Sequence, residues 1–294
     1  MNEYVIVTDS CIDLPNDLVK KLGLVVIPLS VTIENEEYFN YLDEREITFK
    51  QFYQNLREHR RMHTSQVNVD RFITILTPIL EAGKDILHIC FSSALSGTYN
   101  ALLVAKEMLE EQFPNQKIIA IDSLSASMGQ GLLVNLAAKE KQKGKTLDEV
   151  AEFVENTKLN LCHLFTVGDL DHLRRGGRLS SAKAILGTIL RIKPLLHVSK
   201  EGKLVQTGKT RGRRTSLDTL VDTLVHTITN PEGQQVFISH GDCLEDAEYV
   251  RDQIKSKLPI TDFTIHYVGP VIGCHSGLGT VAIFYLGTDR FANE

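Results

Sequence analysis

Continuous apolar runs alternate with helical patterns through the first half of this 294-residue chain, and this alternation limits the fold more than any other feature. Residues 4–7, 86–91 and 118–121 are short apolar runs typical of strands buried on both faces. Helical patterns at residues 68–81 and 96–112 lie between them. The other predicted elements of this half are a strand at residues 24–33 and helices at 47–60, 127–141 and 146–158. Strands that alternate with helices in this way predict a parallel sheet covered by helices on both faces.

The second half of the chain has a mixed pattern and predicts a second domain. Residues 201–203 have the composition of a hairpin turn, which favours antiparallel pairing. Strands are predicted at residues 161–167, 194–199, 203–207, 235–240, 263–267 and 281–286, and helices at 169–175, 181–190, 213–229 and 244–257. We therefore expect an α/β protein of two domains, a parallel α/β/α domain at residues 1–155 and a mixed α+β domain at residues 156–294.

The composition excludes several classes of protein. Hydrophobic residues make up 43 % of the chain and charged residues 23 %, which is typical of a folded globular protein. We expect a cytoplasmic protein, because the chain shows no secretory signal and no apolar stretch of transmembrane length. The five cysteines are scattered without C-x-x-C spacing, so neither a disulfide framework nor a metal site is predicted. A net charge of −5 argues against a nucleic-acid partner.

Positive charge is concentrated in residues 171–214. This segment holds twelve Lys and Arg residues and two acidic residues, a net charge of +10, which leaves −15 for the rest of the chain. One interpretation is a solvated basic face. The other is a docking surface for an acidic partner, a phosphate group or an anionic membrane.

The turn at residues 92–99 is the strongest local signal for a binding site. It joins a buried strand to a long helix and is rich in Ser, Gly and Thr. Free backbone N–H groups at a helix N-terminus, together with hydroxyl groups, form a receptor for anions. The alternative is ordinary helix capping by Ser96 or Thr98.

Two glycine-rich segments could also carry chemistry. Residues 269–279 hold four glycines, which indicates a loop of close backbone approach, and His275 within it could contact an anion. Arg174, Arg175 and Arg178 surround Gly176 and Gly177, where arginines could bind phosphate or carboxylate or simply end a helix. The chain has neither an H-E-x-x-H nor a G-x-S-x-G motif, and it lacks the glycine spacing of a nucleotide-binding P-loop.

Taken together, these segments resemble the DegV family over about 270 residues. Each motif is weak alone, but a chance match of six motifs in this order is improbable. The matching motifs are TDS at residues 8–10, TSQ at 64–66, SALSGTY at 93–99, DS at 122–123, LRRGGR at 173–178 and GPVIGCHSG at 269–277.

The resemblance implies a two-domain fold shared with the substrate domain of dihydroxyacetone kinase, and a long-chain fatty acid buried between the domains. It implies that the protein is not itself an enzyme but the acyl-carrying subunit of a bacterial fatty acid kinase. A separate ATP-binding kinase subunit would phosphorylate the fatty acid for phospholipid synthesis, so no cofactor is expected on this chain.

The resemblance also assigns residues. Thr64 and Ser96 would hydrogen-bond the carboxylate and His275 would join them. Further expected neighbours of the carboxylate are Ser65, Gly97 and Thr98. Arg174, Arg175 and Arg178 would be candidates for docking the kinase subunit. The positive segment adds Arg211 to these candidates, with a transient contact to an anionic membrane as the alternative.

The chemistry of such a ligand is consistent with the sequence. Each buried CH₂ group contributes about 0.8 kcal/mol, so a sixteen-carbon tail could contribute roughly 10 kcal/mol before losses. A buried carboxylate is costly unless it is fully hydrogen-bonded, which is why clustered hydroxyl groups are needed.

Two other functions stay open from the sequence. One is a self-sufficient hydrolase that uses Ser96 or Ser93 with His275 and Asp9. The other is a lipid sensor without a kinase partner.

Overall fold

The first half of the chain is built around a four-stranded parallel sheet, as the continuous apolar runs predict. A computed structural model describes residues 3–179, 192–288 and 290 of the protein. The strands of the parallel sheet are β1 (Tyr4–Asp9), β2 (Val25–Ile27), β6 (Asp85–Cys90) and β7 (Ile118–Asp122). They lie in the order β2-β1-β6-β7, and every neighbouring pair is parallel.

The first half has six α-helices in its described residues. Their bounds are α1 (Asn16–Leu22), α2 (Phe49–Arg57), α3 (Val69–Glu81), α4 (Thr98–Gln112), α5 (Met128–Gln142) and α6 (Leu147–Thr157). Asn68 caps α3, and Thr146 with Glu149 forms a capping box at α6. Both caps satisfy backbone N–H groups that a helix start leaves free.

A second, three-stranded sheet was not predicted. Its strands are β3 (Ser30–Ile33), β4 (Glu36–Phe39) and β5 (Met62–Ser65), paired antiparallel in the order β4-β3-β5. The single strand predicted over residues 24–33 is therefore wrong, because β2 and β3 belong to different sheets. Pro28 lies between them and has no backbone N–H to continue the pairing.

The second half has six strands, as predicted for a mixed α+β domain, and they form one mixed sheet. Its strands are β8 (Leu161–Thr166), β9 (Ile192–Val198), β10 (Leu204–Arg211), β11 (Gln235–His240), β12 (Asp262–Tyr267) and β13 (Val281–Leu286). They lie in the order β10-β9-β8-β13-β11-β12, and the pair β11–β12 is parallel while the others are antiparallel. Gly202, with φ of 74°, makes the predicted hairpin turn between β9 and β10.

The described residues of this half form the helices α7 (Asp171–Arg175), α8 (Arg213–Thr227), α9 (Leu244–Lys257) and α10 (Pro270–Ser276). The expectation of a loop over residues 269–279 is corrected by α10, which begins with proline at its first position. Gly273 in this helix permits close packing, since a β-carbon there would lie 2.7 Å from a ring carbon of Phe52. The helix predicted at residues 181–190 lies outside the described residues.

Helix α5 lies between the two larger sheets. It contacts β1 and β6 of the parallel sheet as well as β8, β11 and β13 of the mixed sheet, and most of its residues are buried. One face of the mixed sheet therefore joins the apolar core of the first half, while α8 and α9 cover the other face. The boundary between residues 155 and 156 stays a prediction. In the ranges given above, no helix combines the length and apolarity needed to span a bilayer.

Candidate functional site

An apolar cavity of about 390 Å³ lies over the face of the mixed sheet that meets the first half of the chain. Its volume is in the range of small-molecule sites, which is about 300–1,000 Å³. The sheet contributes Phe165, Val198, Leu204, Ala282 and Phe284 to its wall, and the elements opposite contribute Leu29, Phe91, Leu95, Val271 and Ile272. Such a wall fits the hydrocarbon part of a ligand.

The register of the strands explains why these side chains share one face. Ala282 on β13 is paired with Phe165 on β8 and with Ser239 on β11. Cross-strand partners in a sheet point to the same side. Phe284, two residues after Ala282, therefore points to the cavity as well.

The polar residues predicted to bind a carboxylate meet at one part of this cavity. Thr64 Oγ1 of β5 and His275 Nε2 of α10 are 2.8 Å apart, although 211 residues separate them in sequence. Ser65, Ser96 and Gly97 line the same cavity. We call Thr64, Ser65, Ser96, Gly97 and His275 the polar end of the apolar cavity.

Thr98 takes a different position from the other predicted residues. Its side chain is fully buried behind Ser96 and does not line the cavity. The hydroxyl groups of Ser96 and Thr98 are 2.9 Å apart, and Thr98 N–H donates to Ser96 Oγ over 3.2 Å. Thr98 therefore orients Ser96 and is not placed to contact a ligand directly.

His275 is held as a neutral imidazole. Burial lowers its pKa to about 4, and electrostatic interaction with Arg178 and His172 acts in the same direction. A β-carbon on Gly176 would lie 2.2 Å from His275 Nδ1, and a β-carbon on Gly277 would lie 2.6 Å from the His172 ring. Two histidines thus pack against two glycines where α7 meets α10, an arrangement that no local sequence signal reveals.

The four predicted docking arginines occupy different places. Arg178 lines the apolar cavity, and its guanidinium donates to the backbone carbonyls of Leu95 and Gly176. Arg175 lies on the adjacent surface. Arg174 forms an exposed ion pair with Asp171, and Arg211 ends β10 without lining either of the two cavities.

A second cavity of about 490 Å³ adjoins the polar end. Thr64, Arg178 and His275 line both cavities. The other basic residues that line the second cavity are His59, Arg60, Arg61, His63, His172 and Arg175. We call it the basic cavity. The run His59-Arg60-Arg61 is visible in the sequence, but its convergence with α7 is not.

The hydrolase alternative requires Asp9 to act with His275, but the hydrogen bonds of Asp9 go to other residues. Its carboxylate accepts hydrogen bonds from the backbone N–H groups of Cys11 and Phe91 and from Gln130 Nε2. These bonds hold the turns after β1 and β6. Asp9, His88 and Cys90 are the group within the described ranges with possible metal-ligand geometry, their ligand atoms lying within 4.8 Å of one another. All three side chains are fully buried, and the Asp9 carboxylate already has these donors.

A buried polar chain borders the apolar cavity and was not predicted. Ser127 Oγ donates to Asp13 Oδ2 over 2.6 Å and lies 3.2 Å from Ser239 Oγ. Ser127 and Ser239 both line the cavity. Burial raises the pKa of Asp13 to about 8, while the hydrogen bond from Ser127 opposes the shift.

Comparison with known sequences finds one family. The family model for the uncharacterised proteins of the DegV family matches residues 3–288. A DegV domain-containing protein of Clostridium perfringens is 47 % identical over 290 residues, which cover 99 % of each chain. The similarity therefore extends over both halves of the chain.

Comparison with solved structures gives the same family. A structure described as fatty acid binding of a DegV family protein from Thermus thermophilus is 30 % identical, covers 98 % of this chain and 100 % of its own, and has a TM-score of 0.85. The structure of DegV, a fatty acid binding protein from Bacillus subtilis, is 27 % identical, with the same coverage and a TM-score of 0.84. The chain thus has a fold that is already known.

Proposed function

Because the chain belongs to the DegV family, we propose that it binds a long-chain fatty acid in the apolar cavity. The observation that carries the proposal is a cavity with apolar walls and one polar end, where Thr64 and His275 are in hydrogen-bond contact. Relatives of the same fold are described as fatty-acid-binding proteins, which supports this ligand class.

The carboxylate of the ligand would lie at the polar end. Thr64 and neutral His275 use one proton in their mutual hydrogen bond, so this pair can donate one hydrogen bond to the carboxylate, and the Ser96 hydroxyl can donate a second. These two donors offset part of the cost of removing a carboxylate from water. The apolar walls contribute most of the affinity, while the polar end fixes which end of the chain faces the basic cavity.

The protein would then present this carboxylate to a separate ATP-binding kinase subunit, which forms an acyl phosphate. The supporting observation is that the polar end adjoins the basic cavity, where Arg175 and Arg178 from the predicted docking set are found. A partner that carries a bound nucleotide is negatively charged at the phosphates, and arginines are well suited to contact it. The lipid sensor without a kinase is the competing proposal.

Binding of palmitate and of its methyl ester separates the role of the polar end from that of the walls. We expect Thr64→Ala and Ser96→Ala each to weaken palmitate binding about tenfold or more, because a hydrogen bond to a charged group contributes about 1.5–3 kcal/mol. The methyl ester, which lacks the charge, should lose much less. Thr74→Ala, an exposed hydroxyl on α3, is the matched control.

The same proteins test the kinase step in a reaction with ATP and a fatty acid kinase subunit. Acyl phosphate formation should fall in proportion to palmitate occupancy. A Thr64→Ala/Ser96→Ala double variant that binds palmitate as tightly as the wild type would contradict the site assignment. Occupied wild-type protein that never yields acyl phosphate would favour the lipid sensor.

A further inference from the structure

The basic cavity has more positive charge than its surroundings neutralise. Its lining holds four arginines and four histidines, and no Asp or Glu is among its lining residues. Arg60 pairs with Glu58, which lies outside the lining. Arg61 and Arg175 are exposed and form no ion pair with any carboxylate in the part of the chain that the structure describes.

This charge comes from two elements that are distant in sequence. His59, Arg60, Arg61 and His63 lie before and within β5, and Arg175 ends α7, more than a hundred residues later. Like charges that outnumber the counter-charges beside them raise the local potential and favour a bound anion. A solvated face needs no concave shape, whereas these residues surround a cavity of about 490 Å³.

The two cavities share their boundary. Thr64, Arg178 and His275 line both, so a group attached to the ligand just beyond its carboxylate would enter the basic cavity. In the proposed kinase reaction a carboxylate oxygen forms a bond to the terminal phosphorus of ATP. The bond from that phosphorus to the ADP oxygen breaks, and ADP leaves with the electron pair. The phosphate is then attached directly to the carboxyl group.

We propose that the basic cavity is a second anion subsite, which binds the phosphate of a phosphorylated acyl chain held in the apolar cavity. The inference rests on the proposed function and extends it, since the protein would hold the product as well as the substrate. Arg61 and Arg175 can each offer a pair of N–H donors to phosphate oxygens, the geometry that guanidinium groups provide.

A stable analogue of the product tests this subsite. In the β-ketophosphonate analogue of palmitoyl phosphate, a methylene group replaces the bridging oxygen, so the compound does not hydrolyse. Its affinity and that of palmitate are measured by calorimetry on wild type and on Arg61→Gln/Arg175→Gln. The control is Lys20→Gln/Lys21→Gln, which removes two exposed charges from the end of α1.

We expect the arginine double variant to bind the phosphonate at least tenfold more weakly and palmitate within twofold of wild type. The lysine variant should bind both ligands like the wild type. Arg61→Lys/Arg175→Lys should restore part of the loss, because the charge is kept while the paired donors are not. Unchanged thermal unfolding would show that the loss comes from the subsite.

Three results would overturn the inference. The proposed subsite would be contradicted if wild type and the arginine variant bound the phosphonate with equal affinity. It would also be contradicted if the variant lost affinity equally for the phosphonate and for palmitate. Saturable binding of inorganic phosphate to palmitate-loaded protein, abolished in the arginine variant without a selective phosphonate loss, would assign a free-phosphate site instead. If wild type binds neither palmitate nor the phosphonate, the proposed function itself is contradicted. This result differs from a failure of the subsite alone, in which wild type still binds palmitate.

Discussion

Asp13 is a buried carboxyl group at the meeting point of three segments. It follows β1, accepts a hydrogen bond from Ser127 at the start of α5, and lies beside Gly269 at the start of α10. Its side chain is almost completely buried, and burial raises its pKa to about 8 from an ordinary value of 3.8. Near neutral pH the folded protein therefore binds a proton that the unfolded chain releases.

The free energy of unfolding should depend on pH because of this proton. Because the folded pKa is raised, the contribution of Asp13 is fully present below about pH 4 and is lost as pH rises toward 8. The loss is at most about 1.4 kcal/mol per pH unit for one proton. Asp13→Asn keeps an acceptor for Ser127 and removes the titration. The free energy of unfolding of this variant, relative to that of wild type, should therefore rise between pH 5 and 8 and stay constant above pH 8.

Chemical denaturation at several pH values measures this difference. Asp148→Asn, at an exposed carboxylate in the first turn of α6, is the control and should give a curve parallel to wild type. If the Asp13→Asn curve also runs parallel to wild type from pH 5 to 8, Asp13 does not titrate in this range. The role given to its burial would then be wrong.

At the scale of single elements, the sequence predicts the buried strands well and the shorter segments poorly. The strand at Gln235–His240 and the helix at Leu244–Lys257 have the predicted bounds. Both segments have enough residues for a clear apolar or amphipathic pattern. Four-residue strands such as β4 carry too few positions for a pattern. Helix α10 was not predicted, because Gly273 lies within the helix and allows close packing against Phe52 instead of forming a turn.

The packing of α7 against α10 gives a prediction at this scale. Gly176 has an ordinary backbone conformation, with φ of −72°, so alanine is tolerated by the backbone. Its added methyl group would displace His275, whose Nδ1 would be only 2.2 Å away. We expect Gly176→Ala to weaken palmitate binding several-fold with little change in unfolding temperature.

A double-mutant cycle shows whether His275 transmits this effect. In a His275→Ala background, Gly176→Ala should cause no further loss, because the displaced ring is absent. Gly208→Ala on β10, where a β-carbon meets Leu195 at an ordinary 3.5 Å, should leave binding unchanged. Losses that simply add in the double variant would show that Gly176 acts independently of His275.

At the scale of the whole molecule, the apolar residues of the chain do more than fill the hydrophobic cores. Part of it lines a cavity between α10, the turn before α4 and the mixed sheet. Arg290 helps to hold the surrounding segments together, because its guanidinium donates to the carbonyls of Leu124, Lys158, Leu161 and Ser199. Burial lowers the pKa of this arginine to about 10.

The sequence predicts only part of the charge distribution. It shows a positive segment at residues 171–214, yet Arg211 within this segment lines neither cavity. Half of the basic residues that line the basic cavity lie at residues 59–63, outside the positive segment. The residues of the polar end were named through the family resemblance, since no local pattern reports that Thr64 meets His275.

The mass of the ligand carried by the intact protein is the most direct test of the central claim. Wild-type protein purified from a bacterial host is measured by native mass spectrometry and again after denaturation. The account predicts an excess mass equal to one long-chain fatty acid, released on denaturation and greatly reduced in Thr64→Ala/Ser96→Ala. A protein that carries no acyl chain and does not take up added palmitate would contradict it.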